Sequence, residues 1–193
     1  MSYRRGSRRI FAYGFLCCVA VLGVTLVLLR SCLAAFEREE SLHAAINAGD
    51  ADKVRQLIRE GVDVNATLTD GWRPLTLAAY HNELEIAKIL IEAGADVNSG
   101  LGLWHPFQGS TPLLYALKNR EFVELLLASG ADVNARDYYG RTAFMWASAL
   151  HNTSLVERLM EAGAEVNGAD KEGVAPLLYA AGFPPRGFSS RTL

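Results

Sequence analysis

Apolar residues recur at helical spacing in separate windows along the chain: Val54, Leu57 and Ile58; Ile86, Ile89 and Leu90; Val123, Leu126 and Leu127; Leu155, Val156 and Leu159. The i, i+3, i+4 spacing puts each trio on one buried stripe of a helix. Glu83 and Glu85, flanking an apolar position, read as a solvated face. A glycine follows each window, at Gly61, Gly94, Gly130 and Gly163, and suits the left-handed residue that ends a helix. About twenty residues before each glycine lies a shorter helical pattern. These patterns are Ser41-Leu-His-Ala-Ala45, Pro74-Leu-Thr-Leu-Ala-Ala79, Thr111-Pro-Leu-Leu-Tyr-Ala116 and Thr142-Ala-Phe-Met-Trp-Ala147, with a further copy at Pro176-Leu-Leu-Tyr-Ala-Ala181. Thr before Pro predicts an N-cap followed by a first-turn proline. Paired alanines let neighbouring helices approach closely. Asp137-Tyr-Tyr-Gly140 and Asp170-Lys-Glu-Gly173 are turn-forming strings between the units.

The glycines open a five-residue signature: Gly61-Val-Asp-Val-Asn65, Gly94-Ala-Asp-Val-Asn98, Gly130-Ala-Asp-Val-Asn134 and Gly163-Ala-Glu-Val-Asn167. Their spacings of 33, 36 and 33 residues indicate stacked supersecondary units. A one-dimensional stack offers an extended surface to another protein and usually has no catalytic centre.

The combination T-P-L-x-x-A-A, apolar helix, G-A-D-V-N and D-x-x-G resembles the ankyrin repeat from about residue 41 to the C-terminus. The resemblance implies an all-α solenoid, with helices on one side and β-turn fingers on the other. Its repeats would span 41–65, 66–98, 99–134 and 135–167, with a half-repeat at 168–193. It also implies a scaffold that binds a protein partner through its finger loops and concave face. Contacts carried over from the family fall at the finger tips and at the two residues after each first helix. In this chain these are Thr69, Asp70, Trp72, Tyr80, His81, Lys118, Asn119, Tyr138, Tyr139, Arg141, Ala149 and Leu150. Trp, Tyr and Arg are enriched in binding hot spots. Trp72 and Tyr139 have an equal claim to packing on neighbouring fingers, and Phe144 and Trp146 fall on the buried pattern.

Departures from the pattern predict local differences. Leu68 stands where the finger usually carries Asp, and Arg73 where Thr is usual, so that finger and helix cap should be less well ordered. The third repeat gains five residues in its finger and loses two in its interhelical turn. The enlarged finger carries Leu101, Leu103, Trp104, His105 and Phe107, which should fold back or enter a pocket on the partner. Gly182-Phe-Pro-Pro185 blocks a second long helix in the last unit. That end should fray, or be covered by a partner or a second copy.

Residues 1–9 form a basic tail, 10–29 an uncharged run, and 30–40 a linker. Twenty residues at about 1.5 Å each match a bilayer core of roughly 30 Å. Arg4, Arg5, Arg8 and Arg9 before the run, against Arg30 and Arg38 after it, predict a cytoplasmic N-terminus. The expectation is a single-pass bacterial membrane protein with periplasmic repeats. A cleaved signal peptide, using the small residues around Cys32-Leu-Ala34, would instead release a soluble exported protein. Leu29-Arg-Ser-Cys32 is an imperfect lipoprotein box, and Ser7-Arg-Arg-Ile-Phe11 resembles a twin-arginine signal although clustered arginines can simply set topology.

The whole chain is near neutral, at net −2, but residues 39–193 hold 13 basic and 20 acidic side chains. That balance argues against nucleic acid or anionic lipid as a partner of the repeats. All three cysteines, Cys17, Cys18 and Cys32, precede the repeats, which therefore contain no disulfide framework. His43, His81, His105 and His151 lack the i, i+3 or i, i+4 spacing of a helical metal site. No metal, cofactor, small-molecule substrate or catalytic residue is expected. Asn65-Ala-Thr67 and Asn152-Thr-Ser154 match the glycosylation pattern, but Asn65 belongs to the structural signature. A protective, immunity or inhibitory subunit bound to an enzyme or toxin is the alternative to a general scaffold.

Overall fold

The computed structural model describes residues 36–68, 71–101 and 109–182. The chain divides into two units, Met1–Arg38 and Glu39–Leu193, and the repeats lie in the second. The described residues are helices and turns, without a strand. Residues 36–47 belong to α1. There follow α2 (Ala51–Arg59), α3 (Pro74–His81), α4 (Leu84–Glu92), α5 (Pro112–Tyr115), a 3-10 turn (Ala116–Lys118), α6 (Arg120–Ala128), α7 (Ala143–Ala149), α8 (Thr153–Glu161) and α9 (Pro176–Ala180).

The helices are short because each carries its own stop. Gly61, Gly94, Gly130 and Gly163 all adopt positive φ, between 82° and 90°. In each case the glycine N–H and the next N–H turn back onto the last turn of the helix. Gly61 donates to Ile58 O at 3.0 Å and Val62 to Leu57 O at 3.1 Å. Gly94 and Ala95, Gly130 and Ala131, and Gly163 and Ala164 repeat this paired closure. It satisfies carbonyls that a helix end otherwise leaves open.

Helices of one kind stack in order. The first helices α3, α5, α7 and α9 pack in succession, and α2, α4 and α6 form a parallel file behind them. Leu42, Ile46, Val54, Ile86, Leu90, Leu113, Phe122, Val123, Leu126 and Leu159 are buried in a core running through the stack. The polar signature residues join its layers. Asn65 Nδ2 donates to Gly94 O, and Asn65 Oδ1 accepts from Asp96 N. Asn98 does the same with Gly130 O and Asp132 N, and Asn134 with Gly163 O and Glu165 N. These contacts run from 2.7 to 3.1 Å. Within each loop the preceding Asp accepts the Asn N–H, as Asp63 does for Asn65 at 2.8 Å. The recurring Asn is therefore an inter-layer clamp.

The caps differ from expectation in detail. Thr142 accepts from Met145 N at 3.4 Å and caps α7. Thr111 makes no such bond although Pro112 follows it, and its buried Oγ1 has no described partner. Arg73 does not cap α3 through its side chain; it donates instead to Asn65 O. The finger with Leu68 is nonetheless closed by Leu68 N to Trp72 O and Gly71 N to Leu68 O, both 2.8 Å. Burial of the Leu68 side chain takes the place of the usual polar turn.

The two size changes of the third repeat have visible causes. Leu101 N donates to Ser110 O and Gly109 N to Leu101 O, both at 3.1 Å. The finger base therefore keeps the pattern of its neighbours despite the insertion between its ends. A Cβ on Gly100 would meet the Gly109 carbonyl oxygen at 2.9 Å, so the base needs a residue without one. In the other turn, α3 ends at Asn82 with φ 61°, and the turn after α7 contains His151 with φ 52°. No left-handed residue lies between α5 and α6; the 3-10 turn tightens the chain and makes the connection with two residues fewer.

Several expectations fall outside the described residues: the basic tail, the apolar run at 10–29, Thr69, Asp70, Leu103, Trp104, His105, Phe107 and the tail from Phe183. The placement as a single-pass membrane protein with periplasmic repeats is corrected. Among the described residues no helix is long and apolar enough to cross a membrane. A nine-residue helix such as α4 spans only about 14 Å.

At the far end of the stack, α9 has one turn and a half, with Leu177 79% exposed and Leu178 42% exposed. Local opening is cheapest where little apolar surface is covered. Amide exchange is expected to be at least tenfold faster in α9 than in α4. Equal protection of the two helices in a monomeric sample would contradict this.

Candidate protein-binding surface

The residue three places after the first residue of a first helix reaches a finger in α5, α7 and α9. These residues are Tyr115, Trp146 and Tyr179. Tyr179 donates its hydroxyl to Asp170 Oδ2 at 2.7 Å, while Asp170 Oδ1 holds the Glu172 and Val174 N–H groups. Burial, reinforced by Asp170, pushes the Tyr179 hydroxyl far above the ordinary phenol range. Burial likewise pushes Tyr115 up, against a hydrogen bond with Ser110 that lowers it. Both stay neutral and serve as props under the fingers.

The next finger is anchored by charge. Arg141 and Asp137 are buried together, with Arg141 Nε and Nη2 each 2.6 Å from Asp137 Oδ2. Asp137 Oδ1 accepts from Tyr139 N and Arg141 N, both at 2.9 Å. The guanidinium lies between two rings, 4.4 Å from the Tyr139 centroid and 4.7 Å from that of Trp146. Arg141 thus differs from the other expected contact residues: it faces its own finger, and Trp146 is its floor.

Around these props lies a strip of aromatic side chains. Trp72 is half-buried, with its ring 5.0 Å from Tyr80 and 5.5 Å from Tyr115. Tyr80 meets Tyr115 edge-on at 5.8 Å and His81 at 5.1 Å. Tyr115 in turn neighbours Asp137 and Arg141 electrostatically. Beyond them Tyr139 packs edge-on to Tyr138 at 5.3 Å, and Lys171 Nζ sits 4.5 Å over the Tyr138 ring. Lys171 N also donates to Tyr139 O at 2.9 Å, joining two fingers. Tyr80, Tyr138 and Tyr139 remain 48%, 51% and 39% exposed. The structure brings Trp72, Tyr80 and His81 together, and Tyr138 with Tyr139. Lys118 stands outside these ring contacts, exposed at the end of the 3-10 turn.

Tyr115 and Lys171 were not among the residues expected from the sequence. Register could have found Tyr115, since it occupies the position of Trp146 and Tyr179 in its own helix. Lys171 was findable only from finger-to-finger geometry. No group of three or more His, Cys, Asp or Glu residues among the described residues could hold a metal.

A family model described as ankyrin repeats in three copies matches residues 23–100, 42–137 and 101–170. The chain belongs to the ankyrin repeat family. Ankyrin repeats generally mediate protein–protein interaction, and the family is typically a non-catalytic scaffold. Among curated relatives, this ankyrin chain is 34% identical over 115 residues to neurogenic locus notch homolog protein 1 of Xenopus laevis, covering 58% of the chain and 4% of the relative. It is 28% identical over 127 residues to an ankyrin repeat, SAM and basic leucine zipper domain-containing protein of Carollia perspicillata, covering 62% of the chain and 26% of the relative. It is 34% identical over 111 residues to a rat ankyrin repeat and SAM domain-containing protein, covering 56% and 12%. The chain spans about a quarter or less of these relatives' lengths. All three come from vertebrates, and the expectation of a bacterial, membrane-anchored protein gains no support from them.

Proposed function

We propose that this ankyrin domain binds an extended segment of a partner protein along the strip from Trp72 to Tyr138. The supporting observation is the exposure of Tyr80, Tyr138 and Tyr139 on fingers and helices whose bases are fixed from below. Tyrosines supply large contact area at low entropic cost, and here their rings are held by neighbouring rings. Trp72 and His81 widen the same patch, while Asp170 and Arg141 hold its fingers.

A photo-crosslinking residue at position 80 or 138 is expected to capture the partner, and one at Met160, exposed on α8, is not. With the captured partner purified, Tyr80→Ala should weaken binding at least tenfold, as hot-spot tyrosines do, without moving the thermal midpoint. Capture from position 160 alone, or unchanged affinity in the Tyr80 variant, would overturn the reading.

A further inference from the structure

A small cavity of about 70 Å³ lies between the 3-10 turn, α6 and α8, with Leu117, Lys118, Arg120, Ser154, Leu155 and Arg158 in its lining. Three of these side chains are cations. Arg158 reaches both oxygens of Glu124 through Nε alone, at 2.9 Å, and its terminal amino groups have no described partner. Arg120 approaches the same carboxylate only to 3.9 Å and is largely exposed. Lys118 has no ion-pair partner among the described residues. One carboxylate is thus shared by the Arg pair, leaving a surplus of two positive charges around the cavity. The amino end of α8 lies at the same place, where Asn152 Oδ1 accepts from Leu155 N and from Ser154 Oγ. Its dipole adds to the positive potential. A cavity needs only about 10–15 Å³ of such space to admit one water, so the notch has room for a small tetrahedral head.

We propose that this notch binds a phosphate monoester carried on a side chain of the partner protein. Such a group brings about −1.5 to −2 charge at pH 7, which matches the surplus. It also offers oxygens to guanidinium and ammonium donors together. Asn119, next to Lys118, donates to Asn82 Oδ1 at 2.7 Å, one residue from His81, so the Lys118 wall of the notch lies beside the His81 end of the aromatic strip. The proposal rests on the reading of that strip as the seat of a partner segment.

The test is titration of the full-length chain, followed by amide NMR, with a blocked Gly-phosphoserine-Gly peptide, its unphosphorylated form and inorganic phosphate. The phosphopeptide should shift amides of Lys118, Arg120, Ser154, Leu155 and Arg158 saturably, with a dissociation constant near or below ~1 mM. The unphosphorylated peptide should shift none of them, and inorganic phosphate should bind more weakly. Lys118→Ala with Arg120→Ala should weaken the phosphopeptide at least tenfold with the spectrum otherwise preserved. No phosphate-dependent shift, or an unchanged response in the double variant, would overturn the site. Inorganic phosphate binding as tightly as the peptide would overturn the partner-borne source. Tyr80→Ala should leave this titration unaltered, so failure of the strip and failure of the notch are read separately.

Discussion

Asp137→Ala is expected to destabilise the repeat domain by about 3–5 kcal/mol, the usual cost of stranding one member of a buried ion pair. Arg141 is 3% exposed, so its guanidinium cannot recover hydration without the finger opening. The substitution also removes the acceptor for Tyr139 N and Arg141 N, which sets the turn. The stacked rings of Tyr139 and Trp146 would then face a cation without its counter-charge. Replacing Arg141 and Asp137 together by Met and Leu should cost less than Asp137→Ala alone, because no charge is left buried. Urea unfolding followed by circular dichroism measures both. A loss under ~1 kcal/mol in Asp137→Ala would show that the pair is already solvated in the native state. Because Tyr138 and Tyr139 ride on this finger, the Asp137 variant should lose partner affinity and stability together, whereas Tyr80→Ala should lose affinity alone.

What the sequence disclosed divides along the range of the interactions involved. The apolar trios around Leu57, Leu90, Leu126 and Leu159, with their closing glycines, are determined within about ten residues of chain. They were legible, and so was the 33-residue period that implies stacking. Thr111 and Thr142 sit in matching local sequences, yet only Thr142 caps its helix. That difference depends on backbone placement that a motif does not encode. Arg141 looked like a finger-tip contact because Arg, Tyr and turn residues are adjacent there. Its burial depends on Trp146, five residues away in chain but reached only once α7 forms the floor of the finger. The notch around Lys118 was invisible for a similar reason. Arg120 and Arg158 lie on different helices, and Glu124 draws them to one place only after α6 and α8 stack. The apolar run at 10–29 was legible as hydropathy alone, and the described residues contain no helix that spans a membrane.

Asn98→Ala is expected to cost about 1–3 kcal/mol, since each net hydrogen bond is worth roughly 0.5–1.5 kcal/mol and two are lost. It strands Gly130 O and Asp132 N, the groups through which one layer holds the next. Asn65 and Asn134 make the same pair of bonds to their following loops. Sites more than about 7–10 Å apart usually add, so the triple Asn65→Ala, Asn98→Ala, Asn134→Ala variant should lose about 3–9 kcal/mol. That is a large fraction of the ~5–15 kcal/mol that holds a domain folded. Asn167 supplies an internal control. It carries the same signature but is exposed, and none of the clamp bonds that Asn65, Asn98 and Asn134 make involves it. Asn167→Ala should therefore change stability by less than ~0.5 kcal/mol. In a linear stack, stability is a sum of unit and neighbour terms. Loss of the central clamp at Asn98 should consequently broaden the urea transition, as the two halves uncouple, more than loss of Asn65 near one end does. If Asn98→Ala costs no more than Asn167→Ala, the apolar core alone couples the layers, and the recurring Asn shapes only its own loop.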